Sequence, residues 1–161
     1  MLDSPTHGIE CSTGVNENII IGNYVLNPAK HGIGLWGSRN VVMGNYILNP
    51  GSGYYGISEA ADYDENIIIG NITPSVYKSG ANTIVLHNQG YRTRNAGVAT
   101  IPADSTRVTV NHGLAKAPRI ILLTPAGNTR VWYENVTDTS FDIVTDTAPS
   151  EDLDIAWYAE V

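Results

Sequence analysis

Basic side chains are scarce in this sequence: nine Lys and Arg stand against sixteen Asp and Glu, a formal net charge of −7. Without clustered cations nothing displaces the counterions of a duplex or a single strand, which excludes nucleic acid as a partner. Cysteine occurs once, so no intrachain disulfide can form. Cys11, in Ile-Glu-Cys-Ser without a basic neighbour, reads as a core filler rather than a nucleophile. Apolar runs are only a few residues long, and residues 1–5 have neither a basic start nor an apolar stretch, so neither membrane insertion nor a targeting segment is expected. Phenylalanine also occurs once, only 16% of residues are charged, and helix formers are few. What is abundant is 16 Gly and 9 Tyr, a composition of strands and turns.

A repeat occupies the first ninety-five residues. His7-Gly8-Ile9, His31-Gly32-Ile33 and Tyr55-Gly56-Ile57 recur 24 residues apart. Asn18-Ile-Ile-Ile-Gly-Asn23, Asn40-Val-Val-Met-Gly-Asn45 and Asn66-Ile-Ile-Ile-Gly-Asn71 recur in step, 22 and then 26 apart. The first two continue as Tyr-Val-Leu-Asn-Pro28 and Tyr-Ile-Leu-Asn-Pro50, and a degraded copy stands at Asn82-Thr-Ile-Val-Leu-His-Asn88. A unit this short, with β-branched runs between Gly, Asn and Pro, cannot bury itself alone. Stacking solves that: in a parallel β-helix each strand pairs with its equivalent one coil away, and like residues form columns. Buried Asn amides at the corners can then satisfy one another along the stack.

These patterns resemble the right-handed parallel β-helix repeats of pectate-lyase-like enzymes, periplasmic copper-insertion proteins and viral tail spikes. The resemblance implies three to four coils over residues 1–95. Because the repeat begins at His7 in mid-coil with no capping helix, the chain is expected to belong to a longer protein.

The columns nominate candidate sites. Glu17, Arg39 and Glu65 each precede a repeat Asn and read as a solvated salt ladder. The acidic loop Asp62-Tyr63-Asp64-Glu65, with Glu59 just before it, is two residues longer than its counterpart in the second coil. Polysaccharide-cleaving chemistry or calcium binding needs such acids. A single acidic loop unmatched on the neighbouring coils reads instead as solvated, so no catalytic residue, metal or cofactor is assigned. His7 and His31 share a column with Tyr55, which favours stacked turn positions over a metal pair. Trp36, Tyr54 and Tyr55, beside Gly-rich turns, are read either as a platform for sugar rings or as cover for a neighbouring chain. Three apolar residues in a row on each coil cannot all face inward. With Ile20, Val42 and Ile68 in the core, Ile19, Ile21, Val41, Met43, Ile67 and Ile69 form an outer stripe, extended by Tyr24 and Tyr46. A stripe of several hundred Å² marks a partner surface, here that of a homotrimer.

After Gln89–Gly97 the repeat ceases. Residues 96–161 divide into six strand candidates with one buried face, 98–103, 107–111, 119–124, 130–135, 140–145 and 153–160, hence a six-stranded antiparallel β-sandwich. The residues Val108-Thr-Val-Asn-His-Gly-Leu114, Pro118-Arg-Ile-Ile-Leu-Leu123, Glu134-Asn-Val-Thr-Asp-Thr-Ser-Phe-Asp-Ile143 and Asp154-Ile-Ala-Trp-Tyr-Ala159 resemble the H-type lectin fold and related C-terminal modules of phage tail fibres. That resemblance implies a trimer and amino-sugar binding between protomers. In the adjacent aromatic pairs Trp132-Tyr133 and Trp157-Tyr158 one member faces in and one out. Arg130 and Trp132 are added to the candidate carbohydrate contacts.

The expectation is therefore an all-β, non-enzymatic module of a trimeric tail fibre or tail spike, on a virion tail or outside the cell. Its partners are other copies of itself and a cell-surface polysaccharide. The alternatives are a fragment of a polysaccharide lyase or glycoside hydrolase, and a secreted carbohydrate-binding domain.

Overall fold

The structure, a computed structural model, describes residues 6–161. Among these every regular element is a strand. The chain divides into two compact units, one ending at Tyr91 and one running from Arg92 to Val161.

The first unit is a parallel β-solenoid of about three turns. Its strands are β1 (Ile9–Cys11), β2 (Ile19–Ile21), β3 (Tyr24–Leu26), β4 (Ile33–Leu35), β5 (Val41–Met43), β6 (Tyr46–Leu48), β7 (Ile57–Glu59), β8 (Ile67–Ile69), β9 (Val76–Tyr77) and β10 (Ile84–Leu86). They form three walls, ordered β1-β4-β7-β9, β2-β5-β8-β10 and β3-β6. Pairing follows the sequence columns, as in Ile20↔Val42↔Ile68↔Val85.

The corners explain the repeat. Glu17, Arg39 and Glu65 hold φ of 61°, 57° and 60°, and Gly22, Gly44 and Gly70 hold 67°, 64° and 65°. Each turns the chain in the left-handed region, where glycine is unpenalised and other residues are rare. The Asn that follows each of them locks the corner. Asn40 donates its backbone N–H and its amide to Oδ1 of Asn66, at 2.8 and 3.0 Å. Asn45 does the same to Asn71 at 2.9 and 3.0 Å, and Asn71 to Asn88 at 2.9 Å for both bonds. The amides thus satisfy one another coil by coil inside the wall. Gly32 is required by close approach, because a Cβ there would lie 2.2 Å from Ile47 and 2.5 Å from the carbonyl oxygen of Gly56. Ile33, Leu35, Val42, Ile47, Ile57 and Ile68 fill the core, with free Cys11 buried beside them.

The expected salt ladder is present: Arg39 lies 2.9 Å from Glu17 and 3.8 Å from Glu65, all three side chains being more than half exposed. Replacing Arg39 with Ala should lower stability by no more than about 1 kcal/mol in urea denaturation; a larger loss would mean that the column is covered.

The second unit holds β11 (Arg94–Ile101), β12 (Arg107–Asn111), β13 (Ile120–Pro125), β14 (Val131–Glu134), β15 (Ser140–Thr145) and β16 (Leu153–Glu160). They make two three-stranded antiparallel sheets, β11-β16-β13 and β12-β15-β14. One cluster built from both sheets, including Ile101, Val110, Ile121, Phe141, Ile143, Ile155 and Trp157, is its core. The first strand starts at Arg94 rather than Val98, because it pairs with β16 along its whole length, Arg94 opposite Glu160 to Ile101 opposite Leu153. Gly97 belongs to this strand because the Trp157 indole lies only 3.0 Å from where its Cβ would be. His112 is buried with both ring nitrogens engaged: Nδ1 accepts the N–H of Leu114 at 3.1 Å, and Nε2 sits 3.2 Å from the carbonyl of Thr137.

Candidate functional site

The solenoid carries two outer surfaces of different chemistry. The first is the outer side of the β2-β5-β8-β10 wall. Successive residues on a strand alternate sides, and the register aligns Ile19, Val41, Ile67 and Ile84 in one outward column and Ile21, Met43, Ile69 and Leu86 in another. All eight are aliphatic or Met. Ile19 is 69% exposed, Ile21 50% and Ile84 46%. Val41 and Ile69 are half-buried by their neighbours in the column. Beyond the left-handed glycines, Tyr24 and Tyr46 stand on the β3-β6 wall, exposed and stacked with centroids 5.2 Å apart. The columns include Ile84 and Leu86 of the degraded last copy of the repeat. Leu26 is a further exposed residue beside Tyr24.

The second surface is aromatic. The His7 and His31 rings stack at 5.1 Å and 9°, and Tyr55 continues the stack at 5.9 Å from His31. Tyr77 follows at 5.2 Å. Tyr54 meets His31 edge-on at 4.9 Å, and Trp36 lies 6.4 Å from His31 and 4.7 Å from His7. Trp36 can lie against the wall because residue 34 is glycine; a Cβ there would fall inside the indole. Trp36, Tyr54 and Tyr55, the candidate sugar platform, are thus gathered around one imidazole. His31 Nδ1 accepts the N–H of Tyr55 at 2.9 Å, which fixes the neutral ring with its proton on Nε2. Burial, then the neighbouring His7, holds its pKa below the usual histidine range. Tyr77 carries no repeat signal, because the register places it opposite Ser58 and only its ring reaches Tyr55.

The acidic loop is tied into the framework. Asp64 accepts the N–H of Glu65 at 2.7 Å and both the N–H and the amide of Asn82 at 2.8 Å. Led by the Glu65 bond, these hold its carboxyl below the usual range. Glu59 is not part of the exposed cluster. It lies fully buried in the Cys11, Leu35, Glu59 column. Its carboxylate accepts the Asn66 amide at 2.7 Å, the N–H groups of Ser79 and Gly80 at 2.8 and 2.7 Å, and the Thr83 hydroxyl. Among the described residues no group of three His, Cys, Asp or Glu is placed to hold a metal ion.

In the second unit Arg130 and Trp132 are neighbours, the guanidinium carbon 5.7 Å from the indole centroid. The Trp132 ring N–H donates to Glu134 at 2.8 Å. Glu134 also accepts from Arg107 at 3.1 Å, and Arg107 donates to Asp142 at 2.9 Å. Asp142 takes further bonds from Thr109 at 2.6 Å and Asn135 at 2.8 Å, and these hold its carboxyl below the usual range. Trp157 is the inward member of its pair and Tyr158 the outward one, while Tyr133 is 44% exposed.

No protein-family model matches the chain, and no curated protein matches it. Among solved structures it is similar to the tailspike protein gp49 from Pseudomonas phage LKA1, at 12% identity over 89% of this chain and 31% of that one, with a TM-score of 0.34. The chain thus spans under a third of that tailspike's length. So distant a likeness says nothing about what this chain binds.

Proposed function

We propose that this chain is a structural and adhesive module of a trimeric phage tail fibre or tail spike, acting in host-surface attachment. The observation that carries the reading is the outer side of the β2-β5-β8-β10 wall, where every outward residue on four stacked strands is apolar. Exposed apolar patches of this continuity mark partner surfaces. A three-fold axis along the solenoids presents the same strip of each chain to its neighbours and closes the assembly. In this reading the second unit is an H-type-lectin-like sandwich that closes the trimer. The aromatic cluster around His31, with Trp36, Tyr54 and Tyr55, is the glycan-contacting surface, and Arg130 with Trp132 is a second contact. Aromatic faces and a polar rim suit the apolar side and the hydroxyls of a sugar ring. No catalytic step is assigned to the acidic loop.

The test is mass in solution by light scattering. The wild type should be a trimer, and Asp at both Ile19 and Ile67 should give folded monomer, because burying each such side chain is worth roughly 1.5–3 kcal/mol. A doubly substituted chain that remains a trimer would show that the strip is not the interface. Retention on immobilised host polysaccharide, lost on Trp36→Ala with mass unchanged, tests the glycan surface.

A further inference from the structure

Residues 52–55 form an exposed corner before β7, and Tyr54 and Tyr55 stand on it. The corner closes on itself through the Tyr54 N–H, which donates to the carbonyl of Gly51 at 2.9 Å. It is tied to the preceding coil on both sides of Tyr55: the carbonyl accepts the N–H of Gly32 at 3.1 Å, and the N–H donates to His31 Nδ1 at 2.9 Å. With the carbonyl already taken, it is the N–H that meets the ring, and only an imidazole with a free lone pair on Nδ1 accepts it. Other corners of the repeat use acceptors that do not titrate, an amide oxygen where Asn71 receives the N–H of Asn45 and a hydroxyl where Ser75 receives that of Gly56. The surroundings keep His31 neutral. Its ring lies between those of His7 and Tyr55, with Tyr54 edge-on. Burial, then His7 and Lys30, act against a positive charge on it, whereas the Glu10 carboxylate acts on His7.

We propose that His31 is a proton-operated latch on the aromatic surface: a proton on Nδ1 turns an acceptor into a donor, sets N–H against N–H at Tyr55 and frees the corner that carries Tyr54 and Tyr55. That opening the latch releases a bound glycan rests on the glycan contact proposed above; the latch itself does not. The sign follows from a ring whose pKa lies below the ordinary value of about 6.5. The closed corner is fully present above that ordinary value and is lost as pH falls through the lower value of the folded ring. The stacked His7 does not open the corner in the same way, because its Nδ1 is buried without a hydrogen-bond partner among the described residues, and a proton there breaks no bond. The aromatic surface is thus assembled at neutral pH and comes apart in acid.

The experiment uses the full chain. By hydrogen-exchange NMR, protection of the Tyr55 amide relative to an unstructured chain should fall about threefold or more from about pH 7.5 to about pH 5, while that of Ile57, bonded within the wall to Ser75, stays constant. His31→Asn places an amide oxygen near the position of Nδ1 and takes up no proton in this range, so it should make Tyr55 protection independent of pH. Protection that holds in the wild type, or that falls equally in His31→Asn, overturns the latch. Should His31→Asn fail to fold, the wild type decides: the His31 ring and the Tyr55 amide must titrate with one midpoint, and separate midpoints are equally fatal. Binding of the wild type to an array of purified bacterial polysaccharides, scored at both pH values, judges the release. Binding that weakens as the amide opens supports it, and binding unchanged in acid overturns it. A wild type that binds none of them at either pH overturns instead the glycan contact, and the latch stands or falls on the amide.

Discussion

Replacing Glu59 with Ala should destabilise the solenoid by roughly 3–5 kcal/mol in chemical denaturation, since each buried donor left without an acceptor costs about 1–3 kcal/mol. The carboxylate stands in a core column where the two preceding coils place Cys11 and Leu35. It collects the N–H groups of Ser79 and Gly80, the Asn66 amide and the Thr83 hydroxyl. The need arises because Thr83 occupies the ladder position that Asn holds in earlier coils, so the Asn66 amide has no amide oxygen to meet on the next coil. Glu59→Gln should recover part of the loss, since it keeps one acceptor oxygen and the side-chain shape. If Glu59→Ala costs less than about 1 kcal/mol, water replaces the carboxylate and the group is not a structural lock.

Asn71→Ala is expected to cost about 3 kcal/mol or more, whereas Asn49→Ala should cost under about 1, although both residues belong to side-chain ladders. Asn71 is fully buried; it accepts two bonds from Asn45, donates two to Asn88, and donates its amide to the carbonyl of Val42 at 3.0 Å. Its removal strands donors and an acceptor inside the wall. Asn49 donates to Asn27 at 3.0 Å at an exposed corner, where water replaces the bond. Equal losses for the two variants, read from denaturation midpoints and slopes, would show that burial is not what gives the ladders their strength.

The solenoid was legible because its physics is translational. One coil's environment is copied to the next, so a column such as Ile20, Val42, Ile68 appears in the sequence as a repeat and in space as a buried stack. The left-handed corners were marked too, by the glycine before each second ladder Asn. Glu59 was not legible, because two of its partners, the N–H groups of Ser79 and Gly80, come from a turn twenty residues further on that carries no repeat signal. For the same reason it read as one more member of an acidic cluster. Ile84 and Leu86 were visible as residues but hidden as a surface, since only the parallel register places them in the Ile19 and Ile21 columns. The aromatic cluster was partly visible: Trp36, Tyr54 and Tyr55 stood out together as a platform, but not the shared imidazole of His31 at its centre. In the second unit the start of β11 was missed because Asn95 and Gly97 have poor strand propensity, and the length of β16 overrode it.

The walls also determine how the solenoid yields to tension. A pull along the solenoid axis loads the bonds between successive coils, those of the strands and those of the side-chain ladders alike. The first and second coils are joined by three full strand pairs, β1 with β4, β2 with β5 and β3 with β6. The third and fourth are joined by the two-residue pairing of β7 with β9, by β8 with β10, and by the single bridge from Ile72 to Gln89. Where strand pairing thins at the last junction, side chains take over the load: Glu59 grips Ser79, Gly80 and Thr83, and Asn71 grips Asn88, so the short fourth coil hangs on its polar locks rather than on its strands.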